Sequence, residues 1–312
     1  MVPMEKENNV TEFILHGLTQ DKRVAKVCFL LFLTFYVTII LGNLLIIITI
    51  KTSEQLSSPM YVFLSHLSFV DISYSTVIAP KFIYDLLLEK KTISFVGCTA
   101  QLFGGHFFRC TEIFLLTVMA YDRCTAICKP LHYTNIVTKR VCIWLVAASW
   151  VGGFVHSIVQ TLLVIQLPFC GPSEIDHYFC DVHPLLKLAC TDTYIIGVSV
   201  IANSGVISLG CFIVLIVSYT VVLVSLRVCF FEGHLKAVRT CTFQITVVVL
   251  LFGPGIFIYM RPSTTFSADK TVSLFYTVIT PMLNPLIYTL QNKEVKNAMK
   301  KLWSRKVQRS EK

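Results

Sequence analysis

Long stretches without a charged side chain divide this chain into apolar segments joined by short polar connections. Five such stretches are long enough to cross a bilayer, whose hydrocarbon core needs about 20 apolar residues: Val27–Ile50, Val141–Ser173, Thr193–Leu226, Thr240–Met260 and Thr271–Asn292. Two more apolar segments carry internal charge: Pro59–Pro80 contains Asp71, and Thr92–Tyr121 contains Arg109 and Glu112. Their length favours full spans over re-entrant or interfacial segments. The pattern predicts an all-α membrane protein, a seven-transmembrane helix bundle.

The composition agrees with a membrane chain. Of the 312 residues, 54% are apolar and 14% charged, too few charges to cover two soluble domains. The mean hydropathy of +0.69 excludes a disordered or nucleic-acid-binding protein.

Basic residues set the orientation. With the amino terminus outside, 16 of the 27 lysines and arginines lie at the inner ends and loops, 10 lie outside, and Arg109 lies within the membrane. This asymmetry satisfies the positive-inside rule. We therefore predict an extracellular tail over residues 1–26, a transmembrane domain over 27–292 and a cytoplasmic tail over 293–312. Asn9 begins a glycosylation sequon, Asn9-Val10-Thr11, on the outer side.

The cytoplasmic tail has helical periodicity. Apolar Val295, Ala298, Met299 and Leu302 recur at i, i+3, i+4 and i+7. Basic residues lie between them, which is typical of an amphipathic helix on a membrane surface. We expect this helix in preference to a free solvated tail.

Five motifs resemble those of a known family, and together they extend over essentially the whole chain. They resemble the signatures of vertebrate olfactory (odorant) receptors of the tetrapod type, within the rhodopsin-like G-protein-coupled class: Pro59–Leu64, Met119–Cys124, Ser218–Tyr219, Lys236-Ala237 with Thr240-Cys241, and Pro281–Tyr288. The resemblance implies a receptor in the plasma membrane of olfactory neuron cilia, surrounded by membrane lipids, and not an enzyme. It further implies two partners: a small volatile odorant bound within the bundle, and a stimulatory heterotrimeric G protein of the olfactory type that raises cyclic AMP.

The chain departs from the family pattern mainly on the G-protein-facing side. Cys124 stands where the family usually has the Tyr of Asp-Arg-Tyr, and Gln291 replaces an Arg. Arg239, Phe243 and Gln244 replace the usual Ser, Ser and His. These departures bear on coupling efficiency and basal activity and leave the resemblance intact.

The resemblance also assigns roles to residues at the inner ends of the helices. It implies that Asp122 restrains Arg123 at rest, and that Arg123 becomes part of the floor of the G-protein cleft. Tyr219 and Tyr288 carry over as aromatic partners of the active form. A snorkelling Arg123 and tyrosines of an interfacial aromatic belt are the alternative interpretations.

Four cysteines fall on the outer, oxidising side: Cys98, Cys170, Cys180 and Cys190. Four cysteines allow three pairings, among which spacing cannot choose. The resemblance implies Cys98 with Cys180 and Cys170 with Cys190. His177 and His183 flank Cys180 at a spacing that would suit a soft metal, but a disulfide at Cys180 removes the thiolate, so we expect no metal there.

Polar residues inside the bilayer carry a large insertion cost and therefore need an explanation. From the rise per residue, Asn43, Asp71, Glu112 and Asn284 form a layer near mid-membrane. One hypothesis is a hydrated site for a sodium ion, as the resemblance implies for Asp71 and Asn284. The alternative is hydrogen-bonded glue between helices, and we predict no other cofactor.

Depth below the outer ends of the helices suggests the ligand pocket. Its proposed members lie on the third, fifth and sixth spans: Gly105, His106, Arg109 and Cys110; Asn203, Ser204 and Ile207; Gly255, Ile256 and Tyr259. Arg109 is unusual for the family, and it has two interpretations. It either pairs with Glu112 at i+3 or presents its guanidinium to an acidic or hydrogen-bond-accepting odorant.

Other classes of seven-helix protein fit less well. The last span has no lysine for a retinal Schiff base. A transporter, the main alternative, is expected to show internal repeats and paired broken helices, and the sequence has neither.

Overall fold

The computed structural model describes residues 10–169, 173–228, 273–291 and 293–310, with the single residues Ile245, Val249 and Lys270. Its helices are α1 (Lys22–Thr52), α2 (Pro59–Asp85), α3 (Phe95–Cys128), α4 (Tyr133–Ile136), α5 (Lys139–Ile165), α6 (Val182–Leu186), α7 (Tyr194–Val228), α8 (Thr280–Gln291) and α9 (Lys293–Ser310). A 3-10 turn (Pro130–His132) precedes α4, and a π-helical segment (Phe275–Ile279) precedes α8. The strands are β1 (Glu12–Leu15), β2 (Thr92–Ser94) and β3 (Glu174–Ile175).

Five of these helices are long and apolar enough to cross a membrane: α1, α2, α3, α5 and α7. They coincide with the first five predicted spans. The π-helical segment and α8 lie within the seventh. The sixth, Thr240–Met260, lies outside the described residues apart from Ile245 and Val249.

Capping residues fix where the helices begin. α1 begins at Lys22, before the charge-free stretch, because the Asp21 carboxylate accepts a hydrogen bond from the backbone N–H of Arg23 at 2.7 Å. Pro59 opens α2, where a missing N–H costs nothing. Ser94 caps α3 by accepting from Gly97 N at 3.1 Å. The sequence thus encodes the helix starts locally.

The third helix is the centre of the bundle and packs against α2, α5 and α7. The shared core contains Phe63, Leu67, Leu115, Met119 and Leu215, all buried. α5 packs tightly against α3 at Gly153, where a Cβ atom would lie 2.2 Å from Thr111 Oγ1. By contrast α1, α5 and α7 leave large apolar side chains exposed on their outer faces, as a lipid-facing surface requires.

A small β-sheet lies on the outer side of the bundle, with strand order β2-β1-β3. β1 pairs antiparallel with β2, with Phe13 opposite Ile93, and parallel with β3, with Ile14 opposite Glu174. Phe13 and Leu15 are buried, whereas Glu12 at the start of the strand is exposed. The amino-terminal segment, expected only as a polar tail, is therefore anchored onto the bundle in part.

The predicted amphipathic helix of the tail is confirmed as α9. Val295 and Ala298 are buried in a cluster with Ile46 and Leu64. The Tyr61 hydroxyl donates to Glu294 Oε2 at 2.6 Å. This contact ties the start of α9 to the start of α2.

Candidate functional site

The outer loop between α5 and α7 is fastened to the bundle at two points. A disulfide joins Cys180 to Cys98 at the start of α3, with a Cα–Cα distance of 5.4 Å, as the resemblance implied. Gln101 Oε1 accepts from Cys180 N at 2.9 Å. The Tyr178 hydroxyl and Thr277 Oγ1, in the π-helical segment, lie 3.0 Å apart in a buried hydrogen bond. The loop therefore covers the outer end of the bundle between α3 and the seventh span.

Of the two remaining outer cysteines, only Cys190 is among the described residues. Cys190 is disulfide-bonded, whereas Cys170 lies outside them, so its pairing with Cys190 stays a prediction. Since the Cys180 sulfur is in a disulfide, it offers no thiolate to a metal between His177 and His183. Asn9 also lies outside the described residues.

Residues proposed for the pocket on α3 and α7 are brought together by α5. The rings of His106 and His156 lie 5.9 Å apart, and His156 Nδ1 lies 3.2 Å from Asn203 Nδ2. Gln160 Nε2 donates to Ser204 Oγ at 2.8 Å. His156 and Gln160 were not among the predicted residues. Their signal is a polar pair at i, i+4 inside an otherwise apolar span, a spacing that puts both on one helix face.

Other proposed pocket residues have different surroundings. A Cβ atom at Gly105 would meet nothing within 4 Å. Cys110 is buried, and Ile207 packs on the central core from α7. From the outer loop, Asp181 Oδ1 lies 4.0 Å from His106 Nε2. Gly255, Ile256 and Tyr259 lie outside the described residues.

Two residues of the polar layer, Asn284 and Asp71, are in direct contact, and the other two are buried with partners of their own. Asn284 Nδ2 donates to both carboxylate oxygens of Asp71, at 3.2 and 3.0 Å. Arg109 donates to Glu112 Oε2 at 3.1 Å. Asn43 Nδ2 donates to Ile39 O at 3.0 Å. Within the described part of the chain, four buried oxygens of this region have no hydrogen-bond partner: Asn43 Oδ1, Ser75 Oγ, Glu112 Oε1 and Asn284 Oδ1.

At the inner end of α3 the structure gives the two charged residues separate contacts. Asp122 Oδ1 accepts a hydrogen bond from the Tyr133 hydroxyl of α4 at 2.8 Å. The Arg123 guanidinium contacts the Met60 sulfur at the start of α2, and its Nε is buried with no partner among the described residues. Tyr219 is buried in the central core. Tyr288 and Gln291 lie in α8, but their side chains are not among the described parts of the structure. Arg239, Phe243 and Gln244 lie outside the described residues.

The inner loop presents a residue that the motifs did not single out. Leu131, in the 3-10 turn after α3, is 90% exposed. An isolated apolar side chain standing out from a loop, between Lys129 and His132, is a candidate contact for a partner. In the sequence, the only sign of this exposed residue is an apolar side chain between polar neighbours in a loop.

The arrangement of the described helices has a likeness among solved structures. The fold is similar to that of squid rhodopsin, with a TM-score of 0.65 over 91% of this chain and 86% of that chain, at 15% identity. A seven-transmembrane helix bundle follows from that likeness together with the five described spans.

A family model described as olfactory receptor matches residues 32–306. The chain is 65% identical to human olfactory receptor 4S2, over 97% of this chain and 98% of that protein. It is 59% identical to mouse olfactory receptor 4B13, over 97% and 99%. The chain belongs to the olfactory receptor family. It is therefore a multi-pass receptor of the plasma membrane, and neither an enzyme nor the transporter that the sequence left as an alternative.

Proposed function

We propose that this receptor binds a small volatile odorant in the outer half of the bundle and activates a stimulatory G protein, so that cyclic AMP rises. The observation that carries the proposal is the membership of the olfactory receptor family over nearly the whole chain. The covered outer end and the contacts of Arg123 at the inner end support two separate sites on opposite sides of the membrane.

Exposed Leu131 and the inner end of α3 support the G-protein part of the proposal. Partner interfaces commonly have an apolar centre with a polar rim, and the exposed Leu131 lies between polar neighbours. The test is nucleotide exchange on purified G proteins with receptor in lipid nanodiscs. Exchange on the stimulatory type, reduced by Leu131→Asp, is the expected result. Exchange on an inhibitory type alone would contradict the proposed pathway.

Arg109 supports a ligand class of carboxylic acids and strong hydrogen-bond acceptors. Its side chain is 19% exposed, whereas its partner Glu112 is 1% exposed, so the guanidinium is the accessible half of the pair. A guanidinium has five N–H donors in a fixed fork and stays charged in the membrane. The ion pair and ligand binding are compatible, because an acidic ligand competes with Glu112 for the same cation.

The ligand class is tested with a matched series of one carbon skeleton as acid, methyl ester, alcohol and amine. The acid is expected to be the most potent. Arg109→Gly should weaken it about ten- to hundredfold, which corresponds to a charged hydrogen bond of roughly 1.5 to 3 kcal/mol. In Arg109→Lys, which keeps the positive charge but lacks the forked guanidinium, the potency of the acid should lie between those at the wild type and at the Gly variant. Unchanged acid potency in a well-expressed Gly variant would leave Arg109 a structural partner of Glu112.

The polar layer supports a sodium site. Hard cations bind oxygen ligands, and the region has two carboxylates and four buried oxygens that find no hydrogen-bond partner in the described part of the chain. Asp71 and Glu112, with the side-chain oxygens of Asn43 and Asn284, would hold the ion. Because Arg109 pairs with Glu112, the charge of the ion would offset that of the Asp71 carboxylate.

The sodium proposal is tested by thermal unfolding of purified receptor in sodium chloride and in choline chloride at equal ionic strength. Sodium should raise the midpoint, and Asp71→Asn and Glu112→Gln should each remove that increment. An equal increment in both variants would show a general salt effect and no site.

A further inference from the structure

Two cysteines form a pair on the last turns of α3, at the cytoplasmic face. Cys124 Sγ and Cys128 Sγ lie 4.0 Å apart. Both side chains are partly exposed. Cys128 Sγ also lies 3.3 Å from Ser225 Oγ of α7. Because Cys124 occupies the position where the family usually has Tyr, the pair departs from the family pattern.

We propose that Cys124 and Cys128 chelate a thiophilic divalent metal ion of the zinc class through both sulfurs. In a tetrahedral thiolate site with metal–sulfur bonds of 2.3 Å, neighbouring sulfurs lie about 3.8 Å apart. The observed separation of 4.0 Å differs from this by a few tenths of an ångström. Small rotations of the two side chains therefore suffice to bind one ion.

A disulfide between the same residues fits less well. Residues four apart on a helix have Cβ atoms about 5 to 6 Å apart. A disulfide needs about 3.5 to 4.5 Å between Cβ atoms, so α3 would have to distort. The cytoplasm is also reducing. Chelation keeps the helix intact, because the metal fills the gap between the sulfurs.

The charge of the surroundings does not decide binding. α3 ends at Cys128, where the unpaired carbonyls of a helix carboxyl terminus have the effect of about half a negative charge, whereas the neighbouring Arg123 and Lys129 are positive. Because two thiols release two protons as one divalent ion binds, the net charge of the site stays the same, and binding depends on the two metal–sulfur bonds. Among the described residues no group of three or more His, Cys, Asp or Glu is placed to hold a metal. In the proposed site, water would complete the coordination.

Binding is an exchange of protons for metal. The hydrated ion loses water as it forms two metal–sulfur bonds, and the two thiols release two protons to solvent. No electron is transferred, so no oxidant or reductant is needed. Affinity therefore increases with pH, as expected for thiolate ligands.

The test is a cadmium titration of purified full-length receptor in nanodiscs with a phosphine reductant, followed by the ultraviolet thiolate-to-metal charge-transfer band. The wild-type receptor should bind one cadmium ion that Cys124→Ser and Cys128→Ser each lose, and zinc should displace it. Cys124→Tyr, which restores the family residue, provides a second variant in case a serine variant unfolds. Cys142→Ser, a buried cysteine of α5, is the matched control and should keep the ion.

Two results would overturn the site. Either both serine variants retain the full cadmium stoichiometry of the wild type, or intact-mass analysis finds the two sulfurs occupied by a covalent group such as an acyl chain. The cadmium titration does not depend on signalling, so the metal site is tested separately from the proposed function.

Discussion

The contacts of Arg123 suggest that this residue serves coupling more than folding. Its Nε is buried with no hydrogen-bond partner among the residues that the structure describes, and an unsatisfied buried donor destabilises a fold. Arg123→Ala should therefore abolish odorant-stimulated cyclic AMP while surface expression stays near that of the wild type. Arg140→Ala, an exposed residue at the start of α5, is the control and should signal normally. A signalling Arg123→Ala receptor would reduce Arg123 to an interfacial anchor.

Gly153 is required by the close approach of α3 and α5. A Cβ atom there would lie 2.2 Å from Thr111 Oγ1 and 3.0 Å from the carbonyl oxygen of Phe107. Because backbone cannot easily move aside, Gly153→Ala should destabilise the receptor by about 1 to 3 kcal/mol. A lower midpoint of thermal unfolding would show this.

Gly205 gives the matched control for that substitution. A Cβ atom at Gly205 would meet no described residue within 4 Å, so Gly205→Ala should leave the midpoint unchanged or raise it. Equal effects of the two substitutions would mean that helix propensity alone is being measured.

At the scale of elements, the outer loop is built around a neutral histidine. His177 is buried, with its ring 4.6 Å from that of Tyr178, and its Nδ1 accepts from Phe179 N at 3.4 Å. Burial lowers the pKa of His177 from 6.5 to about 4. A hydrogen bond from Lys270 at 2.5 Å lowers the pKa of Asp176 below its ordinary 3.8.

This gives the loop a pH dependence of known sign. Between pH 6.5 and 4 the unfolded chain binds a proton at His177 that the folded loop does not, so stability falls as pH falls, by up to roughly 3 kcal/mol. His177→Asn keeps an acceptor near Nδ1 without titrating. The thermal midpoint of the wild type should fall more than that of the variant between pH 7 and 5. Parallel curves would show that His177 titrates as it does in water.

The second outer disulfide belongs to the same element. Cys190 is already disulfide-bonded, and the prediction is that its partner is Cys170. Mass spectrometry of peptides from unreduced receptor should find Cys170 joined to Cys190, and Cys98 joined to Cys180. A peptide joining Cys170 to Cys180 would contradict both pairings.

At the scale of the whole molecule, orientation follows from the charge asymmetry across short loops. An epitope at residue 1 should stain intact cells, and one at residue 312 should stain only after permeabilisation. Reversed staining would invalidate every assignment of a residue to the outer or inner side.

The sequence by itself determined the features that the bilayer and the backbone impose locally. Charge-free length defined the spans, helix rise placed Asp71 and Asn284 at one depth, and apolar periodicity predicted α9. These hold because a helix in lipid satisfies its backbone hydrogen bonds internally, so its existence does not depend on a distant partner.

Tertiary structure decided which of these local features meet. Asn284 bonds Asp71 across 213 residues of sequence, and His156 of α5 reaches Asn203 of α7. Equal depth does not specify which helix faces point at each other. The β1 strand shows the same limit in the aqueous layer: alternation of Phe13 and Leu15 marks a buried face, but its ladder partners come from β2 and β3. A strand cannot satisfy its own backbone, and only the packed bundle brings those partners to it.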